Sequence, residues 1–294
     1  MLEKEINALK IFSGIKDSPV ADGKTKFSIV IRSYNEKNAL KGLISDLLSQ
    51  DIVDIYFEII VLDGGSSDGT ELEAFVEGCD VYKISASDFR YDTSINFLFQ
   101  KASCENIICL SGHTRIRDTS FLRKIRELVL LGYDVIIPRQ VASSLYCEGS
   151  IYEELYLLKA YPPVKLLTQT SFRYSNSAGI VRKELWSKFN FPCLNGQEDE
   201  YWYKTVVVNG ARSFYGYNIC IEHFHDWSPE DVLKRMEGLP SLGLVEAIKK
   251  ISFSVPIMFL LILTFSRNWS LAKLYGVAHA KGVWKRCNNN GRIL

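Results

Sequence analysis

The chain has 294 residues, 47% hydrophobic and 12% aromatic, enough apolar material for one large domain or two small ones and unlike a disordered polypeptide. Its 35 basic and 34 acidic residues leave a net charge of +1, which excludes a non-specific nucleic-acid binder, because such a protein needs a basic excess. The seven cysteines (Cys79, Cys104, Cys109, Cys147, Cys193, Cys220 and Cys287) form an odd set without a CxxC, so free thiols in a reducing cytoplasm are expected rather than a disulfide framework or zinc ribbon.

Residues 1–26 are charged throughout and lack the apolar core of a signal peptide, which argues against export by that route. Leu2, Ile6, Leu9 and Phe12 fall at helical spacing, so a short amphipathic helix followed by a linker is expected there. FSIVIRS at 27–33 is continuous in β-branched residues, as a strand buried on both faces should be. The next segment reads as a helix capped by Asn35, with Leu40, Leu43, Ile44, Leu47 and Leu48 as its apolar stripe. YFEIIVLD at 56–63 is a second strand, Thr70 to Val76 a short helix, and DVYKIS at 80–85 a third strand. A helix from Thr93 to Ala102, a strand at 106–111, a helix from Ser120 to Leu131 and a strand at 133–140 complete the alternation. Strands alternating with helices at this pitch predict an α/β fold, a mixed but mostly parallel sheet with helices on both faces.

Beyond residue 145 the pattern weakens, and 145–175 is rich in tyrosine and hard to assign. SNSAGIVRKELWSKF suggests a strand leading into a short helix, and EDEYWYKTVVVNG a helix ending at Asn209-Gly210. Residues 212–225 alternate as a strand, and Ser228-Pro229-Glu230-Asp231 opens another helix. The apolar run at 251–265 contains Pro256 and is shorter than the roughly 20 residues a spanning helix needs. A buried helix or an interfacial segment is expected instead. Leu271, Leu274, Tyr275, Ala278, Val283 and Trp284 then recur at helical spacing among Lys273, Lys281, Lys285 and Arg286. Two readings stand for that basic amphipathic segment: contact with an anionic membrane surface, or packing on its own domain or a second subunit.

Four polar clusters end strands: IRSYNE, LDGGSSDGT, LSGHTR and PRQ. Carboxyl ends of parallel strands share one edge of the sheet, so these groups are expected to converge on a ligand there. No GxxxxGK[ST] is present and no GxGxxG follows the first strand, which removes the P-loop and dinucleotide readings.

VIRSYNE, VLDGGSSDGT and the helix-borne QEDEYW at 197–202 together resemble family 2 of the inverting glycosyltransferases, which have the GT-A fold. The similarity covers residues 27–225 and implies a glycosyltransferase domain over 27–228, with a nucleotide-binding half at 27–140 and an acceptor-binding half at 141–228. Residues 229–294 become a helical extension that touches membrane or dimerises. ISASDFRYDTSINFLFQKA followed by LSGHT is similar to the rhamnosyltransferase-like branch of bacterial surface-polysaccharide enzymes.

The resemblance implies that Asp63 contacts the nucleotide base, that Arg32, Ser33, Tyr34 and Glu36 lie beside base and ribose, and that Ser111 and Gly112 border the nucleotide. Asp68 belongs to the same signature but can equally cap the following helix. The family carries Asp-x-Asp on the fourth strand, where this chain has Ser111-Gly112-His113. Two readings of that departure stand. His113 can ligate a divalent cation, for which imidazole suits Mn²⁺ and oxygen ligands suit Mg²⁺. Alternatively a protonated His113, with Arg115 or Arg139, binds the diphosphate with no metal. His223 and His225 stand at i, i+2 on a strand and so share a face, and the resemblance implies that one of them completes this site.

Asp199 matches the family's base, which takes the acceptor hydroxyl's proton as it attacks the anomeric carbon. Glu198 and Glu200 flank it at about 100° on the helix, so the three acids cannot all face one substrate. Glu198 remains a catalytic candidate beside Asp199. The tyrosines of 145–175 and Trp202 serve equally well as sugar-stacking platforms or as core. The implied activity is transfer from a UDP- or dTDP-linked sugar to a saccharide or lipid-linked acceptor of a surface polysaccharide. A nucleotidyltransferase and an inactive sugar-nucleotide-binding scaffold are the alternatives.

Overall fold

The computed structural model describes residues 9–12, 23–143, 150–166, 168–194, 196–225, 228–230, 232–233, 252, 255–266 and 269–288. Leu2 and Ile6 of the expected N-terminal helix, and Asp231 of the helix expected after Ser228, lie outside them. The chain divides into two compact units, one of Met1–Val141 with Tyr161–His223, the other of Ala142–Ala160 with Phe224–Leu294.

The first unit is built on one sheet. Its strands, in chain order, are β1 (Leu9–Phe12), β2 (Thr25–Ser33), β3 (Ile55–Asp63), β4 (Asp80–Lys83), β5 (Asn106–Ser111), β6 (Thr114–Arg115), β7 (Val135–Ala142), β8 (Ala178–Arg182) and β9 (Ser213–His223). They lie side by side in the order β1-β4-β3-β2-β5-β8-β7-β9-β6. The centre, β4-β3-β2-β5, is parallel. Its strands are apolar runs because both faces are covered; Phe27, Ile29, Val30 and Ile31 of β2 are fully buried.

Helices α1 (Lys37–Leu48), α2 (Thr70–Val76), α3 (Tyr91–Lys101) and α4 (Phe121–Leu130) connect these strands. The stripe read for α1 is buried at Leu40, Leu43, Ile44 and Leu47, while Leu48 faces solvent. Truncating one such leucine to alanine costs about 2–5 kcal/mol, lost transfer energy plus a cavity. Asn35 does not cap α1. It adopts φ 52°, a left-handed conformation asparagine tolerates, and Glu36 takes the cap position instead.

Two departures from the sequence reading matter. Leu9–Phe12 is not helical but pairs antiparallel with β4, an edge that would otherwise expose unpaired backbone groups; Lys10 also ion-pairs with Asp80 at 3.0 Å. Second, β8 inserts antiparallel between β5 and β7, pairing Ile107 and Val135 with Val181. β7 is therefore two strand spacings, about 9.6 Å, from β5. After β8 come α6 (Lys183–Lys188) and α7 (Glu198–Val208).

In the second unit, α5 (Ser150–Ala160) contacts α8 (Val255–Ser266), which pairs with α9 (Trp269–Asn288). None of the described helices is long and apolar enough to cross a membrane.

Candidate active site

Register places the first site residues. Across β2, Arg32 pairs with Leu62 and Ser111, and Ser33 pairs with Asp63, so the ends of three parallel strands lie side by side. The loops that follow are laced together. The Asn35 amide donates to Ser66 Oγ at 2.8 Å, and the Glu36 amide to Thr70 Oγ1 at 3.0 Å. Asp68 accepts from the Lys37 and Thr70 amides at 3.1 and 3.0 Å, which makes it a brace between the loops and the start of α2. Gly65, at φ 90°, lies where a Cβ would come within 2.7 Å of the Ala86 nitrogen, so only glycine fits that turn.

Asp63 is fully buried. Its Oδ1 accepts the amides of Gly65 and Ser66 at 3.0 and 2.9 Å, with Lys83 Nζ at 3.8 Å. Its Oδ2, also buried, meets no hydrogen-bond partner among the described residues. A buried anionic oxygen left without a donor costs of the order of 1–3 kcal/mol, and a ligand N–H removes that cost. Lys83, a charge partner the sequence reading missed, gave no signal beyond one polar position in a short strand.

Past β5 the chain turns at Ser111-Gly112-His113, and β6 folds back to pair Thr114 with His223 at the end of β9. His113 and His223 thus meet across 110 residues, ring centroids 4.8 Å apart and Nε2 to Nε2 3.1 Å. The other nitrogen of His113, Nδ1, lies 2.5 Å from Glu36 Oε1, and Glu36 Oε2 accepts from Ser33 Oγ at 2.9 Å. Two nitrogens bound to one cation at about 2.1 Å stand about 3.0 Å apart for a 90° angle and about 3.4 Å for a tetrahedral one. The observed separation falls inside that range, so the pair fits a divalent cation. His225 lies in the second unit, where its amide donates to Glu153 at 2.6 Å.

The two arginines lie elsewhere. Arg115 forms a two-pronged pair with Asp46 of α1, at 2.6 and 2.8 Å, so its fork is already engaged. Arg139 donates to the Tyr161 carbonyl at 3.3 Å, out on β7 beyond the inserted β8. Tyr34 is exposed on the loop beside Gly64.

The acids that open α7 separate into three environments. Glu198 is buried; it accepts from Asn176 at 3.2 Å and from the Gly196 amide at 2.9 Å, which anchors the helix start. Glu200 is exposed and pairs with Lys204 at 2.6 Å. Asp199 is held between them. Its carboxyl is pushed up to about 6 by burial and then by the adjacent Glu198 carboxylate, against the pull of the Glu200 amide, Arg32 and Arg173. Such a group holds and releases a proton near neutrality, as a general base must.

Arg32, near the end of β2, acts on the Asp199 carboxyl of this helix through its charge. Its Nη1 donates to the Tyr91 carbonyl at 3.4 Å, and its guanidinium lies 5.4 Å from the Tyr91 ring centre. Arg32 Nε, Tyr174 Oη and Asn176 Oδ1 are buried and meet no hydrogen-bond partner among the described residues. Trp202 is core rather than platform: it is buried against Tyr174 and Phe191, and its indole donates to the Phe189 carbonyl at 2.5 Å. Tyr174, one of the tyrosines read as either platform or core, is core, and Asn176 lies in the segment read as leading into a strand, where nothing singled it out.

The family model for glycosyl transferase family 2 matches residues 28–186, more than half of the chain. The chain belongs to glycosyltransferase family 2. No curated protein matches it. Among solved structures, it is similar to a mannosyltransferase from Pyrobaculum calidifontis in complex with GDP-mannose and Mn²⁺. The TM-score is 0.56 and the identity 11%, over 95% of this chain and 75% of that one. It is also similar to residues 1–349 of TarS from S. aureus with UDP-GlcNAc (TM-score 0.52, 16% identity, 91% and 75% covered). A third is the Mycobacterium tuberculosis glucosyl-3-phosphoglycerate synthase with Mn²⁺ and UDP (TM-score 0.50, 17% identity, 73% and 76% covered). At these identities the likeness shows a shared fold. The mixed, mostly parallel sheet is that of GT-A-like glycosyltransferases.

Proposed function

We propose that this chain is an inverting glycosyltransferase that moves a sugar from a UDP- or dTDP-linked donor to a saccharide or lipid-linked saccharide acceptor. The observation that carries the reading is the Asp63 carboxylate, fully buried at a strand end with one oxygen unpartnered among the described residues. That oxygen suits the imide N–H of a uracil or thymine base, with Ser33, Tyr34 and Arg32 beside it on the same edge. Sequence likeness to the rhamnosyltransferase-like branch at 84–114 supports a bacterial surface-polysaccharide product.

In the transfer, Asp199 takes the proton of the acceptor hydroxyl while the anomeric carbon is attacked from the face opposite the leaving diphosphate, which inverts the configuration. His113 and His223 would hold a divalent cation, Mn²⁺ being the better match to imidazole. When bound, that cation neutralises charge on the departing diphosphate. A cavity of about 420 Å³ runs along α7 between Phe172, Arg173, Glu200, Tyr203 and Lys204, next in sequence to the base, and suits an acceptor saccharide.

Charge supports a lipid-linked acceptor. Residues 247–294 contain eight lysines and arginines and no acid, against 27 basic and 34 acidic residues in the first 246. On α8 and α9, Ile257, Leu260, Trp269, Leu274 and Trp284 are exposed together with Lys273, Lys281 and Lys285. Exposed aromatics among lysines fit an anionic lipid surface.

The test is release of nucleoside diphosphate from UDP- and dTDP-sugars, with the product's anomeric configuration read by NMR. Asp199→Asn is expected to lower turnover roughly 10²- to 10⁴-fold while nucleotide affinity holds. A variant as fast as wild type would remove Asp199 as the base.

A further inference from the structure

We infer that Glu36 is a positioning residue which, given room by Gly112, fixes the tautomer of His113 with the proton on Nδ1 and the lone pair of Nε2 aimed at His223. The cation half of the proposed function gives this arrangement its use, but the tautomer itself rests on geometry alone.

Glu36 occupies the cap position of α1, where serine, threonine, aspartate or asparagine is the usual choice, and its side chain makes no capping bond. A local rule broken in this way is a sign that the side chain serves something else. Its two oxygens are both engaged: Oε2 accepts from Ser33 Oγ at 2.9 Å and Oε1 meets His113 Nδ1 at 2.5 Å. The Glu36 amide is tied to Thr70 Oγ1 at 3.0 Å, so backbone and side chain are both held. An ionised carboxylate only accepts hydrogen bonds, so the nitrogen beside it must carry the proton. In a neutral ring that leaves Nε2 bare, 3.1 Å from Nε2 of His223.

Gly112 completes the device. A Cβ there would fall 2.6 Å from Ser33 Oγ and would overlap Glu36 Oε2. A side chain at 112 would therefore press on the Glu36 carboxylate and on Ser33, and the carboxylate must shift from its place beside His113 Nδ1. Ser33, Glu36, Gly112 and His113 act as one unit drawn from two neighbouring strand ends, so the loop placed beside the nucleotide base also aims the histidine. Carboxylates that accept the second ring proton of a ligating histidine commonly matter 10- to 100-fold for metal affinity.

The experiment is ¹⁵N NMR of the full-length protein with labelled histidine, metal-free, followed by Mn²⁺ titration monitored by EPR. Wild type is expected to show His113 with a protonated Nδ1 and a bare Nε2. Glu36→Ala should lose that single pattern and weaken Mn²⁺ 10- to 100-fold. Glu36→Gln, whose amide oxygen still accepts, should restore the pattern and serves as the folding control. Gly112→Ala should reproduce the Glu36→Ala result by expelling an intact carboxylate. A wild-type ring protonated on Nε2 alone, or an unchanged pattern in both Glu36→Ala and Gly112→Ala, would overturn the inference. Failure of wild type to bind Mn²⁺ strikes the cation reading only; the nitrogen pattern still decides the role of Glu36.

Discussion

The Asp63 corner and the His113 corner lie at the ends of strands that flank β2, yet they are built in opposite ways. Asp63 is held by the amides of residues two and three positions on, so its geometry is local and complete once one turn forms. His113 is held by Glu36, 77 residues earlier, and faces His223, 110 residues later. The first corner is a preformed backbone socket with one oxygen waiting; the second exists only when β6 has folded onto β9. On the proposed reading this difference divides the donor, with its base on the local corner and its diphosphate on the assembled one.

That division can be broken by substitution. The largest effect on nucleotide affinity is expected from Asp63→Asn, which puts an N–H₂ where the base imide must donate. Affinity should fall by about 1.5–3 kcal/mol, roughly ten- to a hundredfold, equally for nucleoside mono- and diphosphates in calorimetry. His113→Ala should be smaller and selective, costing about 1 kcal/mol for the diphosphate and leaving the monophosphate alone. Equal losses for both ligands in His113→Ala would merge the two corners into one.

The third element, Asp199, acts on stability and turnover rather than on nucleotide affinity. Its folded value of about 6 stands above the ordinary 3.8, so the folded state binds the proton more tightly than the unfolded chain. The stability it contributes is full below about pH 4 and is lost as pH rises through about 6, at no more than about 1.4 kcal/mol per pH unit. Chemical denaturation of wild type and Asp199→Asn across that window should show this loss as the difference between the two proteins. Turnover should move the other way, rising with pH through about 6 as the base loses its proton.

The same contrast explains what was legible in the sequence. Strands β2, β3 and β5, the stripe of α1 and the Asp63 turn rest on short-range patterns, and each was readable from composition and period. Leu9–Phe12 was misread because four residues with apolar ends fit a helix or a strand equally well, and only the open edge of β4 decides. The insertion of β8 was hidden because strand order is a long-range property, and it is this order that puts Arg139 out on β7. Arg115 looked available until Asp46, 69 residues away, closed on it. The Glu36–His113 contact left no trace, because Asn35 reads as the cap of α1 and only the structure puts Glu36 there.

The most direct test of the account is calorimetric titration of the folded protein with UDP, dTDP and GDP, each with Mn²⁺, with Mg²⁺ and with EDTA. UDP or dTDP is expected to bind, more tightly with Mn²⁺ than with EDTA, and Asp63→Asn to weaken that binding. Absence of binding by all three nucleotides under every condition would contradict it.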